Sequence, residues 1–336
     1  MTANDISFII PIFNRPEEAN ELLESFATLD GNKDFEIVIV EDGSEISSES
    51  VVQEYKSRLN ISYYFKENSG PGDSRNYGMK RAKGNYFIIL DSDCVLPKQY
   101  LTKVLNSLNG NYVDCFGGPD AAHDSFSNIQ KAINFAMTSF ITTGGIRGKA
   151  SSLNKFQPRS FNMGISKTAF EATGGFGRIH PGEDPDLSIR LWKLGFKTKL
   201  VPEAYVYHKR RISWSKFHKQ VYKFGSVRPV LNKWHPNTKK ITYWFPSVFC
   251  LGMVMSLIAL LFKITFPMYL VLGYFILSFI IALFKTKNII VAVLSILAIL
   301  IQFFGYGYGF LKSTLKLMFT KKSAEELFPN LFFRGI

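Results

Sequence analysis

Two carboxylates spaced two residues apart are the residues of this sequence best suited to chemistry. Asp91 and Asp93 follow the apolar run 86–90, whose aromatic and β-branched residues predict a buried strand. Open α/β sheets bind their ligands at the carboxyl ends of strands. Magnesium and manganese bind through one or two carboxylates and complete their shells with water and substrate phosphates. The spacing therefore favours a divalent-cation site, although a solvated turn of this composition is common.

The elements around these carboxylates predict a doubly wound sheet. Three apolar runs, at 6–12, 35–40 and 86–90, alternate with segments of helical character. This alternation is typical of an α/β fold with a mostly parallel sheet. Right-handed crossovers bring the ends of successive parallel strands to one side. We therefore expect the polar strand ends to share one edge: Asn14, Asp42, Asp91 and Asp93.

Charge divides the chain into two parts. Residues 1–208 carry 22 Lys and Arg against 25 Asp and Glu, a net charge of −3, whereas residues 209–336 carry 18 Lys and Arg against two Glu, a net charge of +16. The basic residues flank apolar spans, which favours anionic lipid headgroups as partners. The front part is acidic and has no recognition motif, so nucleic-acid binding is not expected.

The cysteines and the first residues indicate a reducing compartment. Cys94, Cys115 and Cys250 are scattered and odd in number, so neither a disulfide framework nor a zinc site is expected. The first eight residues lack the basic and apolar regions of a signal peptide. We expect the acidic part to stay in the cytoplasm.

The basic part begins with an amphipathic segment, residues 209–243. One face of its predicted helix is aromatic and the other is basic: Trp214, Phe217, Val221 and Phe224 against Lys216, Lys219 and Lys223. This pattern favours a helix that lies on a membrane, although the same aromatic face could pack on a protein core.

Apolar spans occupy residues 244–311. Two of them, 245–262 and 266–284, are each long enough to cross a bilayer. Whether a third span, 289–311, also crosses is left undecided. Its crossing would put the lysines of the basic tail 312–336 on the outer side, against the positive-inside rule.

Six segments together resemble the motifs of family 2 glycosyltransferases with the GT-A fold. They are, in order, Pro11-Ile12-Phe13-Asn14, Glu41-Asp42-Gly43-Ser44, Gly70-Pro71-Gly72 with Arg75-Asn76, Asp91-Ser92-Asp93, Gly174-Gly175-Phe176 and Gly182-Glu183-Asp184. The resemblance covers about residues 5–228. It implies a Rossmann-like GT-A catalytic domain over residues 1–208, followed by an interfacial helix and C-terminal transmembrane helices, as in bacterial exopolysaccharide and lipid-linked oligosaccharide enzymes.

The resemblance also implies roles for single residues. The nucleotide sugar, usually UDP-linked, would contact Pro11, Phe13, Asn14, Glu41, Asp42, Arg75, Asn76, Asp91 and Ser92. Mg²⁺ or Mn²⁺ would be held by Asp91 and Asp93, with His208 as a further candidate ligand or else a buried structural histidine. Asp184 would be the general base of an inverting transfer. The acceptor would contact Gly175, Phe176, Glu183, Gln220 and Lys223.

Departures from the family pattern narrow the expected reaction. The segment 220–224 only loosely matches the Q-x-x-R-W motif of processive members, and two or three spans are too few for a polymer channel. We expect one sugar to be added to a membrane-held, polyprenyl-linked acceptor in cell-surface polysaccharide assembly. The expected location is the bacterial cytoplasmic membrane, with the catalytic domain facing the cytoplasm.

Three alternatives stay open. They are direct transfer to polyprenyl phosphate, processive polysaccharide synthesis, and a membrane scaffold that retains an inactive nucleotide-sugar-binding domain. The intact Asp91, Asp93 and Asp184 disfavour the scaffold.

Overall fold

The chain folds into two units in a computed structural model, which describes residues 1–121, 126–143, 156–208 and 213–333. The first unit comprises Met1–His123, Ala150–Lys209 and Phe332–Ile336, and the second comprises Asp124–Lys149 and Arg210–Leu331. The chain therefore returns to the first unit for its last residues. The predicted domain limits at 208, 243 and 311 stay predictions.

Ten strands of the described chain build two sheets in the first unit. They are β1 (Ile6–Ile12), β2 (Glu36–Asp42), β3 (Ile61–Lys66), β4 (Tyr86–Leu90), β5 (Cys94–Val95), β6 (Cys115–Gly117), β7 (Asp120–Ala121), β8 (Asn162–Ser166), β9 (Thr198–Leu200) and β10 (Val206–His208). The larger sheet has the order β3-β2-β1-β4-β8-β6-β9, and the smaller has the order β5-β10-β7. Strands β1 to β4 are mutually parallel, and β8 runs antiparallel to both of its neighbours. The predicted mostly parallel sheet is confirmed.

Both units contain α-helices. In chain order they are α1 (Pro16–Ala27), α2 (Glu49–Tyr55), α3 (Pro71–Arg81), α4 (Tyr100–Gly110), α5 (Asn128–Thr138), α6 (Phe140–Thr143), α7 (Lys167–Thr173), α8 (Glu183–Lys193), α9 (Trp214–Trp234), α10 (Phe245–Leu261), α11 (Phe266–Thr286), α12 (Ile289–Met318) and α13 (Ala324–Leu327). Both α1 and α3 begin with proline at the first helical position, where its missing N–H costs no hydrogen bond.

Both faces of the larger sheet are buried. Phe8 of β1 packs edge-to-face on Phe26 and Phe35, with ring centroids 4.7 and 5.1 Å apart. On the opposite face, Ile9 joins Val38 in a second apolar cluster. Burial on both faces explains why these strands read as continuous apolar runs rather than as alternating ones.

The second unit contains α9 and the apolar helices. Phe217 and Val221 of α9 are buried in one cluster with Phe303 of α12, whereas Lys216 and Lys219 are exposed. The predicted division into an aromatic and a basic face is therefore confirmed. The aromatic face, which we expected to meet lipid, meets protein instead, because α12 covers it.

The third apolar span is one continuous helix of 30 residues, α12. Glycines of both α9 and α12 permit close packing between these helices: a methyl group on Gly225 of α9 would overlap the carbonyl of Tyr306, and one on Gly309 of α12 would overlap the carbonyl of Tyr222. By length and composition, three helices of the described chain could cross a membrane: 241–261, 266–286 and 289–318.

Candidate active site

The carboxyl ends of β1, β2 and β4 meet at one edge of the sheet. Asn14 has a left-handed backbone with φ of 54°, and its amide N–H donates to Ser44 Oγ at 2.8 Å. Its side-chain Oδ1 accepts the backbone N–H groups of Glu45 and Ile46, at 2.8 and 3.0 Å. Asn14 thus joins the loop after β1 to the loop after β2, and the predicted shared edge is confirmed.

Each carboxylate of the Asp91–Asp93 pair contacts an arginine. Asp91 Oδ1 lies 2.8 Å from Arg75 Nη2, and Asp93 Oδ2 lies 2.6 Å from Arg15 Nη1. The Asp91 side chain is 33% exposed, which leaves part of it open to a ligand. The antiparallel pairing of β10 with β5 puts the backbone of His208 opposite Cys94, the residue after Asp93.

The donor set fits a divalent cation that is shared with a substrate. Within the described ranges, no group of three or more His, Cys, Asp or Glu side chains could hold a metal alone. Asp91 and Asp93 offer hard oxygen ligands, and magnesium and manganese take the remaining ligands from water and phosphate. The two carboxylates are therefore suited to a cation that arrives with a diphosphate.

Arg75 connects the Asp91–Asp93 carboxylate pair to the start of α8. Its guanidinium is buried, and its second nitrogen, Nη1, lies 3.3 Å from Glu183 Oε1. The Phe176 ring lies 5.3 Å from the guanidinium carbon. Asn76 fixes Phe176 through two hydrogen bonds of 2.8 Å to its backbone N–H and carbonyl. Gly175 has a φ of 76°, and a methyl group there would overlap Asn76, so glycine is required for this contact.

Two adjacent carboxylates begin α8 and have opposite pKa shifts. Burial alone would raise the pKa of Glu183, but His180, whose Nδ1 is 2.9 Å from Glu183 Oε1, and Arg75 outweigh it and lower that pKa. Burial and the negative charge of Glu183 raise the pKa of Asp184 to about 6, against the opposing effects of Arg75 and Arg159. Opposite shifts in neighbouring groups are typical of acid–base sites.

One carboxylate oxygen of Asp184 is buried and, among the described residues, unpaired. Its carboxylate is hydrogen-bonded to Ser160, but its buried Oδ1 has no hydrogen-bond partner in the part of the chain that the structure describes. Buried polar atoms are normally paired. An unpaired acceptor atom near Arg75 is therefore suited to receive a proton from a bound molecule.

The acidic pair at the end of β2 has a different environment. Asp42 accepts hydrogen bonds from Lys66 Nζ at 2.7 Å, from Ser69 N–H at 3.0 Å and from Gly70 N–H at 2.9 Å. The buried Glu41 likewise accepts hydrogen bonds, from the Ser44 hydroxyl, the Ser48 N–H and the Tyr63 hydroxyl. Both carboxylates hold the loops that follow β2 and β3.

Other predicted site residues are distributed over both units. Phe13 is 49% exposed at the end of β1, Pro11 pairs with Val40 within the sheet, and Ser92 is buried. Gln220 and Lys223 lie on α9, in the second unit. Sequence reasoning missed three basic partners of the predicted acids: Arg15, Lys66 and His180. The only signal for them was position, since Arg15 directly follows the first motif and Lys66 ends β3.

Comparisons with known proteins now identify the class. The family model described as Glycosyl transferase family 2 matches residues 7–174, half of the chain. The chain belongs to this glycosyltransferase family.

Two relatives match over about a third of this chain. A glycosyltransferase of Rickettsia felis is 37% identical over 106 residues, which are 32% of this chain and 17% of the relative. The poly(ribitol-phosphate) β-N-acetylglucosaminyltransferase TarS of Staphylococcus aureus is 32% identical over 111 residues, 32% of this chain and 19% of TarS. The matches thus span only a minor part of these relatives.

A solved structure supports the fold over nearly the whole chain. The mannosyltransferase PcManGT of Pyrobaculum calidifontis, in complex with GDP-mannose and Mn²⁺, superposes with a TM-score of 0.57 at 15% identity. The superposition covers 95% of this chain and 88% of that one. The likeness confirms the GT-A-type fold.

Proposed function

We propose that this protein is an inverting, cation-dependent glycosyltransferase that moves one sugar from a UDP-sugar to a membrane-held acceptor. One observation carries the proposal. Among the described residues, Asp184 is a buried carboxylate with an unpaired Oδ1 and a raised pKa, one residue from the Glu183 that Arg75 joins to Asp91. A base with a pKa near the working pH combines the correct protonation state with sufficient basicity.

The proposed reaction is a single displacement. The acceptor hydroxyl oxygen forms a bond to the anomeric carbon of the donor while the bond from that carbon to the β-phosphate oxygen breaks. The hydroxyl proton passes to Asp184 Oδ1, and the electron pair of the broken bond leaves with the nucleoside diphosphate. Because the two oxygens lie on opposite sides of the carbon, the configuration inverts.

The Asp91–Asp93 edge would hold the leaving group. A divalent cation, Mg²⁺ or Mn²⁺, bound there would neutralise the charge that develops on the diphosphate. Asp93 and the open part of Asp91 would be its protein ligands, and His208 stays a candidate. Arg75 fixes the orientation of Asp91 through its 2.8 Å contact. The cation ligands and Asp184 would therefore both be positioned relative to this one buried guanidinium.

The nucleoside would bind beside the loops after β1 and β2. The half-exposed Phe13 offers an aromatic face for the base. Asn14 and Asp42 hold the surrounding loops through their hydrogen bonds to backbone N–H groups. The proposed acceptor contacts remain Gly175, Phe176, Glu183, Gln220 and Lys223.

The apolar helices support a lipid-linked acceptor. Three helices long and apolar enough to cross a bilayer follow α9 in the chain. A cytoplasmic-membrane enzyme that acts on a polyprenyl-linked saccharide accounts for their presence and for the basic residues that flank them. The names of TarS and of the minor teichoic acid biosynthesis protein GgaB of Bacillus subtilis support a role in cell-surface polymer assembly and make UDP-N-acetylglucosamine the first donor to test.

The test uses the full chain in lipid nanodiscs with Mn²⁺. Nucleotide release is measured for UDP-N-acetylglucosamine, UDP-glucose, UDP-galactose and GDP-mannose, each without acceptor, with a polyprenyl-linked saccharide and with polyprenyl phosphate. We expect one UDP-sugar to give release that the linked saccharide stimulates and that Asp184→Asn suppresses. Stimulation by polyprenyl phosphate alone would support the rival acceptor. Donor binding without stimulated release from any acceptor would indicate the inactive scaffold.

A further inference from the structure

The last described residues of the chain form an added strand segment in the first unit. Phe332 pairs in an antiparallel bridge with Ile179. The Phe333 N–H donates to the Arg178 carbonyl at 3.1 Å, and Arg178 Nε donates back to the Phe333 carbonyl at 3.0 Å. These backbone-directed contacts attach this segment to the loop that precedes α8.

The Phe333 ring contacts two elements. It packs directly on Gly70, where an added methyl group would overlap the ring. Its centroid is also 5.7 Å from the centroid of the His180 ring. Gly70 directly precedes α3, and His180 lies in the loop before α8. The ring thus touches the starts of the two helices that carry the proposed machinery.

These two helices meet through charged groups whose interaction depends on distance. Arg75 of α3 lies 3.3 Å from Glu183 of α8, and both side chains are buried. His180 lies 2.9 Å from the same carboxylate. Removing a partner from a buried ion pair is strongly destabilising, and misplacement of a reacting group by about 1 Å can cost 10²-fold in rate. The separation of α3 and α8 therefore determines the position of the Asp184 side chain.

We propose that Phe333 is a positioning residue, a C-terminal clamp whose ring fixes the start of α3 against the loop before α8 and thereby holds Glu183 and Asp184 in place. The effect of this clamp on turnover rests on the proposed function. The clamp itself is a property of the fold, and it can be measured without substrate.

The first experiment is hydrogen–deuterium exchange on the full chain in nanodiscs. Phe333→Ala is compared with Phe333→Tyr, which keeps the ring, and with Phe65→Ala, which removes a 58% exposed ring from β3 in the same unit. We expect faster exchange in peptides covering 70–76 and 177–184 for Phe333→Ala alone. Unchanged exchange in both peptides would overturn the clamp, whether or not the protein proves to be a transferase.

The second experiment separates positioning from donor binding. We expect Phe333→Ala to lower kcat about tenfold, with a UDP dissociation constant within about twofold of wild type and with kcat restored in Phe333→Tyr. Weaker UDP binding at unchanged kcat would assign the ring to the nucleobase pocket and overturn the positioning role. Phe333→Leu, which keeps apolar bulk, serves in place of Phe333→Ala if the latter does not fold.

Discussion

Two acidic pairs lie at the ends of β2 and β4, the strands on either side of β1, and they differ in what holds them. Glu41 and Asp42, after β2, accept hydrogen bonds mainly from backbone N–H groups, hydroxyls and one buried lysine. Asp91 and Asp93, after β4, are held by the side chains of two arginines. Backbone donors are fixed by the fold, whereas the partly exposed Arg15 side chain can change rotamer when a ligand arrives.

The difference separates acids that hold the fold from acids whose arginine contact can be replaced by a ligand. The Asp42 and Lys66 side chains are 5% and 7% exposed, so that neither can rehydrate without local unfolding. The Arg15 and Asp93 side chains are 30% and 14% exposed, and this contact can open toward solvent. Of the two motifs, only the second can accept a cation at modest cost, because partly exposed ion pairs contribute little stability.

The largest expected effect comes from the Asp91–Asp93 pair. Asp93→Ala removes a proposed cation ligand, and we expect it to abolish turnover and the cation dependence of UDP binding while the protein remains folded. Turnover and calorimetric UDP titration with and without Mn²⁺ measure both effects. Asp34→Ala, at an exposed loop carboxylate, is the control. Full activity of Asp93→Ala would remove the basis of the comparison.

Asp184→Asn should produce the next largest loss. The amide is nearly isosteric but cannot accept the acceptor's proton, so we expect turnover to fall by about 10²-fold or more. UDP affinity should stay unchanged, because Asp91 and Asp93 are intact. Asp186→Asn is the matched control: Asp186 pairs with Arg190 at 2.9 Å within α8, and its loss should affect stability more than turnover. Equal losses in both variants would argue against Asp184 as the base.

Asp42→Ala should show its effect in stability. The substitution leaves the buried Lys66 without its closest carboxylate. We expect a loss of about 3 kcal/mol, at the lower end of the range for broken buried pairs, because Asp73 lies 3.3 Å from the same nitrogen. Thermal unfolding of the ligand-free protein should show a much smaller shift for Asp93→Ala. A reversed order of the two melting temperatures would contradict the structural role of Asp42.

The effect of pH on kcat/KM should be gradual. The pKa of Asp184 is raised to about 6 by burial and by the charge of Glu183, and a base must be ionised to act. kcat/KM should therefore fall as the pH drops below about 6, by about tenfold per pH unit. Glu183→Gln removes one negative charge and should move this acidic limb to lower pH. A limb that does not move would show that another group titrates.

Sequence alone could locate the acids but not their partners. The strand ends follow from apolar runs and parallel topology, and Asp184 follows from its place at the start of a helix. The contact of Arg15 with Asp93 joins residues 78 positions apart, and that of Arg75 with Glu183 joins residues 108 positions apart. Such contacts depend on how the elements pack, which local patterns do not determine.

The aromatic face of α9 shows the same limit. Its periodicity correctly predicts that one face is covered, and Phe217 and Val221 are buried. Periodicity gives no information on whether lipid or protein covers that face. The glycines of α12 indicate that protein covers this face, since their packing against α9 leaves no room for side chains.

The most direct test of the account is calorimetric titration of the wild-type protein with UDP, in Mn²⁺ and in EDTA, at pH 7.5. If Asp91 and Asp93 form a cation site shared with a diphosphate, UDP should bind at least about tenfold more tightly with Mn²⁺, a difference of about 1.4 kcal/mol. The gain should disappear in Asp93→Ala and persist in Asp184→Asn. Equal UDP affinity with and without the cation in the wild-type protein would contradict the account.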